Sequence, residues 1–237
     1  GPRARGRVLQ PPAACCAMRT LACRKRPILL LLFPMQADAG DILAFWFADS
    51  CCGPTEAKAR EAFWFRGSAA VDAAIGERYL PGMEAALRGE LAAWSAAPRT
   101  ALALTLLLDQ FPRNVWRGTA RAFAGDSLAL TLAREAVAAG FLQRLERVQR
   151  AFLVLPFEHS ESLAEQHESM RLFTMLQQSA PDPWRPLFDG YLDYARQHFG
   201  IIQRFGRFPH RNRALGREPT AEEQAWLESG GAVFGQN

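Results

Sequence analysis

Residues 101–108, Ala-Leu-Ala-Leu-Thr-Leu-Leu-Leu, carry apolar side chains on every side of two helical turns. A helix with no polar face has to be covered all round, so this one belongs in the middle of the fold with other elements packed against it. It runs into Asp109-Gln-Phe-Pro112, which puts a carboxylate at the C-terminal end of a buried helix. Around it, from Asp38 onward, apolar residues recur at helical spacing almost throughout, and no run alternates with the period of a strand.

The helical pattern divides at recognisable signals. Asp38 or Asp41 caps a first helix containing Ile42, Phe45 and Trp46, and Cys51-Cys-Gly-Pro54 is a turn. Thr55 is the expected cap of a second helix whose Phe63-Trp-Phe65 end mirrors Phe45-Trp-Phe47, so the two should form an αα-hairpin joined through aromatic rings. Residues 69–94 follow as one or two helices, with a kink expected at Pro81-Gly82. Thr100 is read as the start of the central helix and Asp126 to Gly140 as a short one. Pro156 is read as the end of the stripe Leu142–Leu155. Ser162-Leu-Ala-Glu165 and Thr220-Ala-Glu-Glu223 are capping-box sequences, and a long helix lies between them over residues 187–205. The fold class is therefore all-α: stacked antiparallel helix pairs, as a TPR-like α-α superhelix or a bundle, although no fixed repeat period is visible.

Charge bounds the partners. Residues 1–37 hold seven Arg or Lys and no acid, while the remainder holds 21 basic against 24 acidic residues. The net charge of +4 thus belongs to the leader, and the slightly acidic body argues against nucleic acid. The leader's apolar run, Ile28 to Phe33, is too short to span a bilayer, so no membrane partner is expected. Upstream translation ahead of Met35 is the preferred reading of the leader, with an organellar transit peptide, which its composition resembles, as the alternative. Residues 1–37 are set outside the fold and residues 38–237 are taken as a single helical domain. With only Cys51 and Cys52 in the body, there is neither a disulfide framework nor a zinc spacing; a reducing, cytoplasmic setting is expected, or an organellar one if the leader is a transit peptide.

The polar residues concentrate in three places. In Arg204-Phe-Gly-Arg-Phe-Pro-His-Arg-Asn-Arg-Ala-Leu-Gly-Arg217 five arginines and a histidine alternate with Phe205 and Phe208, and Phe111-Pro-Arg-Asn114 is a shorter echo. A carboxylate placed like Asp109 must be neutral or closely paired, with Arg113 or an arginine of residues 204–217 as partner. His159, Ser160 and Glu161 sit just ahead of a helix N-terminus, where an anion is favoured. Asp109, His159 and His210 are the catalytic candidates, His210 being kept neutral by the positive charge around it. Arg113, Asn114, Glu161, His198, Arg204, Arg207, Arg211 and Asn212 are the ligand-binding candidates, because guanidinium forks suit carboxylate or phosphate. Ser160 lacks the Gly-x-Ser-x-Gly setting of a hydrolase nucleophile. No His-x-x-x-His or Glu-x-x-His pair is present and the arginines would repel a cation, so neither metal nor other cofactor is expected.

Three stretches taken together, Leu108-Asp-Gln-Phe-Pro-Arg-Asn-Val-Trp-Arg-Gly118, Pro156-Phe-Glu-His-Ser-Glu161 and His198 through Arg217, resemble the domain-of-unknown-function family 924 over about residues 38–234. The resemblance implies an all-helical, tetratricopeptide-like fold of bacterial type and no particular activity. Glu158 departs from it, standing where an apolar residue is usual. Two functions follow as expectations: a pocket that binds a small anionic ligand with acid–base chemistry, or a scaffold for a protein partner in which the same polar residues are structural.

Overall fold

Asp38 opens α1 (Ala39–Phe47), its carboxylate accepting the Gly40 and Asp41 amides at 2.7 and 3.2 Å. It is the first residue described by the computed structural model, which covers residues 38–235; the leader lies outside them. α2 (Pro54–Phe65) starts at proline after Gly53 and not at a Thr55 cap, since proline at the first helical position has no amide to satisfy. The expected aromatic hairpin forms: Phe45 meets Phe63 with centroids 5.5 Å apart, and Phe47 meets Trp64 at 6.2 Å. The Trp64 indole and the Arg60 guanidinium donate to the Phe45 and Trp46 carbonyls, which satisfies acceptors left over at the end of α1.

α3 (Ala69–Leu87) runs as one helix through Pro81, and α4 begins at Pro98 rather than Thr100 (Pro98–Thr105). α4 is buried from Ala101 to its end and packs on α1, α6 (Asp126–Ala138) and α7 (Arg147–Glu158), the central place its composition demands. It ends in a wide π turn, Leu106–Gln110, and continues as α5 (Phe111–Val115). α8 (Leu163–Gln178) folds back along α9 (Arg185–Phe205), and α10 (Ala221–Glu228) closes the chain.

Two expectations at helix ends are corrected. Pro156 does not stop α7, because residues 151–158 are buried on every side and that packing outweighs one missing hydrogen bond. The Ser162 side chain caps nothing; Glu165 instead reaches Arg134 of α6 at 2.6 Å, and a capping box forms unannounced at Glu146–Gln149. The Thr220–Glu223 box is present. Among the described residues there is no strand, and no helix is long and apolar enough to cross a membrane.

Candidate functional site

The π turn places one more residue in a helical turn than an α-helix holds, and it brings both Asp109 and Gln110 inward. Asp109 is completely buried. Its Oδ1 lies 2.7 Å from His159 Nδ1 and 3.3 Å from Arg113 Nη1, and its Oδ2 accepts from Gln110 Nε2 at 2.6 Å. Arg113 also donates to the Asp109 carbonyl at 2.6 Å and grips Asp126, at the head of α6, with two bonds of 2.9 and 3.0 Å. Asp126 accepts from Arg211 at 3.1 Å, and Arg211 donates its other nitrogen to the His159 carbonyl at 3.0 Å. The ring Asp109–Arg113–Asp126–Arg211–His159 is closed, drawing on segments about a hundred positions apart.

Its charges, two carboxylates and two guanidiniums, cancel. Burial alone would raise the Asp109 carboxyl, but Arg113 and His159 together hold it below the ordinary carboxylate range. Burial, with Arg113 beside it, lowers His159 below the usual imidazole value despite Asp109. Asp109 is thus the anion and His159 the neutral partner. A neutral imidazole donating Nδ1–H to Asp109 keeps Nε2 as a lone-pair donor.

His159 lines a cavity of about 580 Å³. Glu158 and His198 line it too, and both are buried. His198 Nδ1 donates to the Tyr194 carbonyl at 2.9 Å and lies 3.1 Å from Glu158 Oε1, while the second Glu158 oxygen has no hydrogen-bond partner. Burial, reinforced by the nearby Asp109 charge, pushes the Glu158 carboxyl well above its ordinary value, and burial pushes His198 well below its own. One donor atom from each of Glu158, His159 and His198 lies within 4.8 Å of the others, so among the described residues these three are grouped closely enough to hold a metal ion.

The remaining walls have two characters. Trp64, Phe65, Phe152, Tyr191 and Phe234 supply an aromatic lining, with Phe65 and Tyr194 exposed at the mouth. Lys58, Arg66, Arg113 and Arg117 supply positive charge. Lys58 is paired with Glu61 at 2.5 Å, and Arg117 with Asp72 at 3.2 Å and with the Gly235 carbonyl. Arg66, exposed at the rim, makes no ion pair among the described residues.

The sequence candidates separate accordingly. Asp109, Arg113, Asn114, His159 and His198 meet at or behind the cavity, with Asn114 held by Asp72 at 2.8 Å. Arg204, Arg207, Asn212 and Glu161 are not part of its lining. Arg204 pairs with Glu222 at 2.9 Å and Arg207 with Glu223 at 2.6 and 2.8 Å; Asn212 donates to Glu223, and Glu161 holds Arg217 and the Phe208 amide. The guanidinium forks expected to receive a ligand are occupied by carboxylates of the chain itself, which fix the C-terminal segment around the buried Phe208. Arg211 belongs to the ring behind His159. His210 also lies outside the cavity lining, its Nδ1 buried without a partner and its pKa lowered to about 3 by burial and then by Arg211.

Sequence reasoning passed over Glu158, Asp126, Arg117, Arg66 and Phe234. Glu158 and Arg117 stood inside motifs already singled out, and a carboxylate in an apolar run was signal enough for the first. Phe234, stacked 3.6 Å from His198, offered none.

Fold and site together define an all-helical protein built around a polar-floored, aromatic-walled cavity. The chain belongs to the family described as bacterial protein of unknown function (DUF924), which it matches over residues 42–231. A solved structure of a protein of unknown function from Agrobacterium tumefaciens is similar at 41% identity with a TM-score of 0.68, covering 81% of this chain and 97% of that one. No curated protein matches the chain.

Proposed function

We propose that the cavity binds a small organic anion, a phosphate or carboxylate on an apolar or aromatic body, with the His159 lone pair as the reactive group beside it. The observation that carries this reading is the 2.7 Å Asp109–His159 contact on a cavity wall that also presents cationic side chains. An imidazole fixed through Nδ1 and kept neutral offers Nε2 to a proton of the ligand, which is the position of a general base. The aromatic walls suit the ligand's body, and the rim charge of Arg66 suits its anionic end.

The scaffold reading draws on a different observation, the pairing of Arg204, Arg207 and Arg217 with carboxylates of the chain. It accounts for the C-terminal segment and leaves the cavity unexplained, so the two readings apply to different parts of the molecule.

Calorimetric titration of phenyl phosphate and benzoate into the protein in EDTA tests the pocket. Saturable binding is expected, weakened about tenfold or more in Arg66→Ala through loss of a charge-assisted hydrogen bond, and unchanged in Arg207→Ala. Silence with both probes, or equal weakening in the two variants, would reject the reading.

A further inference from the structure

We propose that Glu158, His159 and His198 form a site for a divalent transition-metal ion, zinc being the first choice, on the inner wall of the cavity. The inference deepens the pocket reading and rests on it for the ligand that completes the ion's coordination.

Four observations converge. The donor atoms already lie within 4.8 Å of one another. Donors about 2.0–2.2 Å from a tetrahedral ion lie roughly 3.4 Å apart, so closing on an ion takes up to about 1.4 Å of movement across the widest pair. His159 is set as a metal ligand usually is, its Nδ1 facing Asp109, which reserves Nε2; His198 turns its Nδ1 to Glu158 at 3.1 Å and to the Tyr194 carbonyl at 2.9 Å. Glu158 is a buried carboxyl with no Lys or Arg partner and one oxygen that bonds to nothing; an unmatched acid in such a place is costly unless a cation or a proton joins it. Finally, the end of α7 that carries two of the three ligands is held rigid, since Gln166 of α8 donates to the Glu158 and Ser160 carbonyls at 2.6 and 2.7 Å.

The objection raised by the arginines is answered by the ring. Arg113 faces Asp109 and Asp126, and Arg211 faces Asp126, so the charge behind His159 sums to zero and Glu158 remains to attract a cation. Two imidazoles and one carboxylate suit zinc or iron(II) better than magnesium or calcium, which prefer oxygen alone. Three protein ligands leave a coordination position for water or for an oxygen of the anion. With the ion in place the His159 lone pair would be a ligand, and the proton-accepting role would pass to the hydroxide left when the ion's bound water releases a proton to solvent.

The test is zinc titration of EDTA-stripped protein by calorimetry, with cobalt(II) absorption as the coordination readout. One ion per chain and visible bands of a four- or five-coordinate cobalt site are expected. Glu158→Gln should fold as the parent does in EDTA, judged by its thermal midpoint, and bind zinc at least 100-fold more weakly; Asp109→Asn should lose 10–100-fold by freeing the His159 ring. The exposed His167→Ala and the paired Cys51→Ser, Cys52→Ser variants should bind as the parent does. No stoichiometric binding, or equal affinity in Glu158→Gln, overturns the site. Phenyl phosphate binding in EDTA separates the two proposals: retained binding without zinc uptake rejects the metal and keeps the pocket, while loss of both rejects both.

Discussion

Asp109 keeps its charge where a solitary carboxylate would lose it. Complete burial is offset by Arg113 and His159, and Gln110 accounts for the second oxygen. That arrangement was legible in outline, because a carboxylate closing an apolar helix requires a partner and Arg113 is one turn away. His210 carries its own consequence. It is neutral in the fold with a pKa near 3, against an ordinary value of 6.5, so between those values the unfolded chain takes up a proton that the folded chain refuses. Stability should therefore fall as pH drops below 6.5, on the order of 1–2 kcal/mol from this residue by pH 5. His159 and His198 act in the same direction and Glu158 in the opposite one. Urea midpoints measured from pH 7.5 to 5 in EDTA should decline less steeply in His210→Gln than in the parent; parallel slopes would show that His210 is not held neutral. Glu158 was legible only as an anomaly: one acid in an apolar stretch is visible, but its partner is not until α9 brings His198 against it.

The π turn and the start of α6 act as one element. Gly125 packs so closely on the Leu108 carbonyl that a Cβ there would overlap its oxygen, and Asp126, next in sequence, receives both Arg113 and Arg211. Gly125→Ala should push α6 off the turn and cost about 1–3 kcal/mol, read as a lower urea midpoint. Gly200→Ala, on the exposed face of α9 with nothing near a new Cβ, should raise stability by about 0.5–1 kcal/mol. Equal effects of the two would contradict the close approach. Elements of this kind resist sequence reading for a physical reason. A single extra residue in a turn barely disturbs a periodicity of 3.6, and Pro156 looks like a stop and Pro81 like a kink although helix continues through both. The long periodic stretches, the cap narrowed to Asp38 or Asp41 and the Thr220–Glu223 box were readable because each depends on neighbours a few positions away.

At the scale of the molecule, α4 sets the centre, and its C-terminal turn, the end of α7 and the middle of α9 bring Asp109, His159 and His198 together. The arginine-rich segment at 204–217 is the feature most visible in the sequence, yet most of its arginines are taken by carboxylates elsewhere in the chain: Arg207 by Glu223, Arg204 by Glu222, Arg217 by Glu161. Only Arg211 reaches inward, between the rings of Phe123 and Phe208, to close the circuit behind His159. Composition shows where charge is abundant, whereas which charges remain available to a ligand depends on pairings between distant segments. The most direct measurement is a crystal of the protein soaked with phenyl phosphate. Density for the probe should fill the cavity, its ring against the aromatic wall and its phosphoryl oxygens near Arg66 and His159. A probe seated on Arg204–Arg217, with none in the cavity, would contradict the account.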